Sequence, residues 1–98
     1  MFVIADITFL PIQYPKDKPT SDYIKACLKT FDRYSLISNV HAQGTNVEGE
    51  FDEIMKAVKD CFAVIQNMGC ENIASFIQLT FAANKDLSIQ SRLSKVKE

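Results

Sequence analysis

Residues 36–55 read LISNVHAQGTNVEGEFDEIM, and two different periods meet in them. From Leu36 to Ala42 the chain alternates, with Leu36, Ser38, Val40 and Ala42 on one side and Ile37, Asn39 and His41 on the other, the period-two pattern of a strand. Gln43-Gly44 then reads as a two-residue hairpin turn, glycine accepting the positive φ that tight hairpins need. That register sets Ala42 opposite Thr45 and Val40 opposite Val47, so Asn46 and Glu48 fall beside His41 and Asn39. After Gly49-Glu50 the period lengthens. Phe51, Ile54, Met55, Val58, Cys61, Phe62 and Ile65 form a broad apolar stripe at helical spacing. Asp52 and Glu53 suit the start of this helix, and Gly69 suits its end.

The flanking sequence repeats the two patterns. Upstream, Val3, Ala5, Ile7 and Phe9 alternate with Ile4, Asp6, Thr8 and Leu10, which predicts a strand closed by Pro11. Gln13 to Thr20 holds Pro15 and Pro19 and reads as a loop. Ser21 is the expected N-cap of a helix over Asp22–Asp32, whose apolar residues Ile24, Cys27, Leu28 and Phe31 recur at helical spacing. Downstream, Asn72 to Ala83 is a further period-two run. Asp86 is the expected cap of a last short helix carrying Ile89, Leu93 and Val96. The order is strand, helix, strand, strand, helix, strand, helix. It predicts an α+β fold, a ferredoxin-like sandwich (βαββαβ) with an added C-terminal helix, occupying residues 1–98 as one domain.

Composition agrees with one small core. Of 98 residues, 47% are hydrophobic and 23% charged, with a formal charge of −1 from 11 basic and 12 acidic residues. A disordered chain would be poorer in apolar residues, and a dedicated nucleic-acid binder would carry a basic excess. No apolar run approaches the roughly 18 residues of a membrane helix, and Met1–Asp6 lacks a signal peptide's basic start. Cys27, Cys61 and Cys70 are an odd set without CxxC spacing, which predicts free thiols in a reducing, cytoplasmic compartment. Cys27 and Cys61, on helical apolar stripes, read as inert core residues.

The second face of the predicted sheet carries the available chemistry. Asp6, Thr8, Asn39, His41, Asn46, Glu48, Gln78 and Thr80 share it with Ile4, Leu10, Ile37 and Phe76. Such a mixture suits a subunit interface or a ligand floor as well as a solvated face. Enzyme signatures are sparse. His41 is the only histidine, so no His-based metal site forms from this chain alone. The three glycines are scattered and make no phosphate-cradling loop. The loop after the first strand, Pro11 to Pro15, has neither an acylphosphatase's glycine-rich anion loop nor a copper carrier's CxxC. Neither Val47-Glu48-Gly49 nor Ala74-Ser75-Phe76 supplies the aromatic motif of an RNA-recognition module.

The run Gly44-Thr45-Asn46-Val47-Glu48-Gly49-Glu50-Phe51-Asp52-Glu53-Ile54-Met55 resembles the small thiamine-binding proteins of the MTH1187/YkoF-like group (UPF0045 type). Their pattern there is G-T-x-hydrophobic-E-G-x-aromatic-D-[DE]-hydrophobic-M. Ala5-Asp6 through Pro11-Ile12 resembles the family's first strand, Ser21–Ile24 its entry to the first helix, and Met68-Gly69 the close of its second. The fourth strand departs: Gln78 to Lys85 lacks the charged ending I-[KR]-[IV]-D-x-R. The resemblance implies a ferredoxin-like fold, self-association into homodimers or homotetramers, and binding of thiamine or its aminopyrimidine part without catalysis. No cofactor and no metal are expected, and neither is a nucleic-acid or membrane partner.

The expected ligand-binding set is therefore Asp6, Thr8, Asn39, His41, Thr45, Glu48, Gln78 and Thr80. Amides and carboxylates can match an aminopyrimidine's donors and acceptors. Glu48 or Asp6 could offset a thiazolium, and Phe76 could stack on it. Thr45 and Glu48 enter because they lie in the most specific run. The alternative is a structural or regulatory self-associating module without a ligand.

Overall fold

A computed structural model describes residues 1–81 and 88–97. Its elements are β1 (Phe2–Gln13), α1 (Thr20–Phe31), β2 (Ile37–His41), β3 (Gly44–Glu50), α2 (Phe51–Asn67), β4 (Asn72–Phe81) and α3 (Ile89–Lys97). The strands form one sheet in the order β2-β3-β1-β4, antiparallel at every junction. This is the ferredoxin-like sandwich with a third helix at its end.

The alternation in β1 does what its pattern demands. Val3, Ala5, Ile7 and Phe9 are buried on the inner, helix-covered face, beside Val47 of β3. Against them lie Tyr23, Cys27 and Phe31 of α1 and Ile54, Ala57, Val58, Cys61 and Ile65 of α2. Each large side chain taken fully from water contributes about 1.5–3 kcal/mol. Thr30, buried in the same layer, is satisfied because its hydroxyl donates to the Ala26 carbonyl at 2.9 Å. Tyr34 ties the approach to β2 onto α2 by donating to the Asp60 carboxylate. Helix α2 ends where Gly69, at φ +100°, takes the left-handed turn that a side chain would resist.

Several boundaries differ from the sequence reading. β1 does not stop at Pro11 but runs to Gln13, with a register irregularity between the two. Beyond Ile7 β1 pairs only with β4, and in such a one-sided stretch a proline costs little. Helix α1 begins at Thr20, and its N-cap is Pro19 with no side-chain cap, so Ser21 lies inside the helix rather than capping it. The expected Asp86 cap and the strand's extension to Ala83 lie outside the described residues.

The hairpin is also displaced. His41 pairs with Gly44, Val40 with Thr45, Asn39 with Asn46 and Ser38 with Val47, so the turn is Ala42-Gln43 rather than Gln43-Gly44. Ala42 and Gln43 make it without positive φ. Gly44 instead serves a close approach inside the sheet. A Cβ there would sit 2.9 Å from the Thr8 hydroxyl and 3.0 Å from the Ile7 carbonyl. The slip is two residues, so each side chain keeps its face. Its row changes: Glu48 lies beside Ile37, not beside His41 or Asn39.

Candidate functional site

The register arranges the outer face in rows across the four strands. Ile37, Glu48, Ile4 and Thr80 form one row, and Asn39, Asn46, Asp6 and Gln78 the next. Beyond them His41 pairs with Gly44 and Thr8 with Phe76. With no side chain at Gly44, the His41 ring spans β3 and its Nε2 lies 2.6 Å from Asp6 Oδ1 on β1. The Gln43 N–H donates to His41 Nδ1 at 3.2 Å, so the ring proton is on Nε2 and is donated to Asp6. Thr8 in turn donates to the Gln43 carbonyl at 3.0 Å. The hairpin tip is thus pinned through both backbone groups of Gln43.

Glu48 is engaged elsewhere. It is only 7% exposed, and its carboxylate accepts the N–H of Ile89, the first residue of α3, at 2.8 Å. A carboxylate at a helix start satisfies an orphan donor and matches the helix dipole. Glu48 therefore seats α3 on the outer face, with Ile89 buried beside it. Glu48→Ala should weaken that seating by the worth of a charged hydrogen bond, about 1.5–3 kcal/mol. Amide exchange in α3 should accelerate by a corresponding factor while the core amides stay protected. Unchanged exchange at Ile89 to Leu93 would show that the bond does not hold the helix.

Among the described residues, the outer face holds a shallow depression of about 390 Å³, lined by Asp6, Thr8, Ser75, Phe76, Ile77 and Gln78. Asn39 and Thr80 lie outside it. A deeper cleft of about 510 Å³ opens at the hairpin end, between β1, the first turns of α1 and the Val40–Thr45 hairpin. Its walls include Ile7, Phe9, Tyr14, Ile24 and Val40, with Thr20, Ser21, Lys25 and Gln43 among its polar groups. Three of the expected residues reach it: Thr8, His41 and Thr45.

Thr45 sits on the inner face and is only 6% exposed. Cys27 also reaches the cleft. The neighbouring Cys61 thiol, and then burial, push the Cys27 thiol up, which holds it as the poorly nucleophilic SH form. Tyr14, Ile24 and Lys25 were not in the expected set. Periodicity marks Ile24 as core and Lys25 as solvated, and no local pattern shows three distant segments meeting.

Comparison with known proteins agrees on one family. The family described as "Thiamine-binding protein" matches residues 5–97. UPF0045 protein MJ1052 of Methanocaldococcus jannaschii is 28% identical over 96 residues, covering 98% of this chain and 93% of the relative. UPF0045 protein sll0230 of Synechocystis is also 28% identical over 96 residues, covering 98% of this chain and 78% of its own length. The crystal structure of MJ1052 superposes with a TM-score of 0.87 at 26% identity, covering 98% of this chain and 96% of that one. A Thermotoga maritima structure, TM0486, provisionally assigned to thiamine biosynthesis or salvage, gives 0.81 at 22% identity over 98% and 99% of the two chains. The last shows the fold alone. With the match spanning nearly its whole length, the chain belongs to the thiamine-binding protein family.

Proposed function

We propose that the protein is a non-catalytic binder of thiamine or of its aminopyrimidine moiety, acting as a homo-oligomer in the cytoplasm. The observation that carries this reading is the hairpin-end cleft in a chain of this family. Its volume, about 510 Å³, falls within the roughly 300–1,000 Å³ typical of small-molecule sites. Ile7, Phe9, Ile24 and Val40 supply apolar walls for a heteroaromatic ring, and the Thr45 hydroxyl is of a kind that can donate to or accept from its edge. Thr8 and His41 border the cleft while fixing Gln43 at its rim. Binding rather than catalysis is favoured by the occupied state of the reactive groups: His41 is held by Asp6 and Gln43, and the Cys27 thiol is suppressed. Three buried cysteines present as thiols suit a reducing compartment.

Self-association is supported by the outer face and the β4 edge. Phe76 is 62% exposed and Ile37 59%, on the face that also bears Asp6, Asn39, Gln78 and Thr80. β4 has neither charge nor proline along Asn72–Phe81, the devices that usually guard an exposed edge. Assembly would cover these groups, as a dimer or as a tetramer. A second reading, an interaction module without a ligand, draws on the same exposed face. Calorimetry with thiamine and with the free aminopyrimidine separates the two, alongside light scattering for subunit mass. A saturable heat on an oligomer is expected. Absence of any binding heat on a folded oligomer would leave the module reading, and a mass of one chain at high micromolar concentration would contradict self-association.

A further inference from the structure

The hairpin that walls the cleft is held by side chains rather than by its own turn. A two-residue loop between antiparallel strands favours the primed turns, which need positive φ at one or both central residues. Ala42 and Gln43 have none, so the turn does not by itself match the twist of β2 and β3. Both backbone groups of Gln43 are tied down instead. Its carbonyl accepts from the Thr8 hydroxyl at 3.0 Å, and its N–H donates to His41 Nδ1 at 3.2 Å. A Cβ at Gly44 would lie 2.9 Å from that hydroxyl and 3.4 Å from His41 Cε1, so both ties depend on the glycine.

The tie to His41 exists only while Nδ1 carries no proton. Asp6 Oδ1, 2.6 Å from Nε2, takes the proton of the other ring nitrogen and leaves Nδ1 free to accept. Asp6 lies in the outer-face depression and not in the cleft, so it reaches the rim through His41. A histidine gains its second proton as pH falls through about 8 to 5, and the imidazolium donates from both nitrogens. It keeps the Asp6 bond but turns a donor toward the Gln43 N–H, and two donors make no bond. Among the described residues the other titratable side chains at the cleft are Lys25, Tyr14 and Cys27. The neighbouring rows of β3 and β4 present Gly44, Asn46, Phe76 and Gln78, all uncharged. None of these restores an acceptor to Gln43. Resting on the binding reading above, we propose that Asp6 and His41 are a positioning pair for the cleft. They hold Gln43 at its rim while the ring is neutral and release it when the ring is charged.

Thiamine binding should therefore weaken about two- to ten-fold as His41 charges, the worth of one neutral hydrogen bond. The first measurement uses the full chain without ligand. His41 is the only histidine, so nuclear magnetic resonance reads its ring titration without ambiguity. The Gln43 amide proton should move upfield with the same midpoint. Calorimetry with thiamine over the same pH range should then show the fall in affinity in the parent protein and lose it in His41→Gln. Protonation of the ligand itself is common to both proteins and cancels in the comparison. Asp6→Asn removes the charge that favours the imidazolium, so the ring midpoint and the fall in affinity should move together to lower pH. A pair with only a structural role would not move the two together. A Gln43 amide that ignores the ring titration would overturn the inference and leave the binding reading intact. The same pH dependence of affinity in the parent and in His41→Gln would do likewise. No heat with thiamine at any pH would overturn both readings together.

Discussion

Ile54→Ala is expected to lower the stability of the protein by about 2–5 kcal/mol. Ile54 is fully buried on α2 and faces the β1 and α1 residues of the single core. Truncation removes the transfer free energy of three carbon atoms and leaves a cavity that a close-packed interior closes only in part. In a chain of 98 residues each kcal/mol lowers the melting temperature by about 4–8 °C, so the shift should be large. Urea unfolding gives the number directly. Lys59→Ala, on the exposed side of the same helix, should stay within about 0.5 kcal/mol and serves as the control. A loss below about 1 kcal/mol for Ile54→Ala would contradict the packing described here.

Val40→Trp is expected to abolish thiamine binding without unfolding the protein. Val40 is 60% exposed on β2, yet its side chain borders the hairpin-end cleft on the inner face. A tryptophan there has solvent on one side, and aromatic residues are favoured in strands. Its most apolar position is across the cleft mouth, where it would cover Ile24 and Thr45. Circular dichroism and subunit mass should match the parent protein, while the heat of thiamine binding disappears. Full affinity in this variant would move the ligand away from the cleft.

The sequence made the fold legible because its two periods are unambiguous. Alternation in β1 assigns Val3, Ala5, Ile7 and Phe9 to one face, and the stripe from Ile54 to Ile65 can only be one side of a helix. The hairpin register was less legible because glycine has two uses. Gly44 reads as a turn residue, whereas it sits in β3 and gives space to Thr8 and the His41 ring. Glu48 reads as an available carboxylate on an open face, and nothing near it in sequence shows that residue 89 returns to occupy it. The outer-face set was legible as a set, since parity survives a two-residue slip. The cleft was not, because residues from β1, α1 and the hairpin meet there through topology alone. Thr45 lies in the most family-like run of the sequence and, in the fold, on the inner face at the cleft.

The most direct test of the account is where thiamine touches the protein. With methyl-labelled isoleucine, valine and threonine, ligand titration followed by nuclear magnetic resonance distinguishes the two faces of the same sheet. Ile7, Ile24, Val40 and Thr45 line the cleft, whereas Ile4, Ile37 and Thr80 lie in one row of the outer face. The account predicts that thiamine shifts the first group and leaves the second in place. Shifts confined to Ile4, Ile37 and Thr80 would contradict it and return the ligand to the outer face of the sheet.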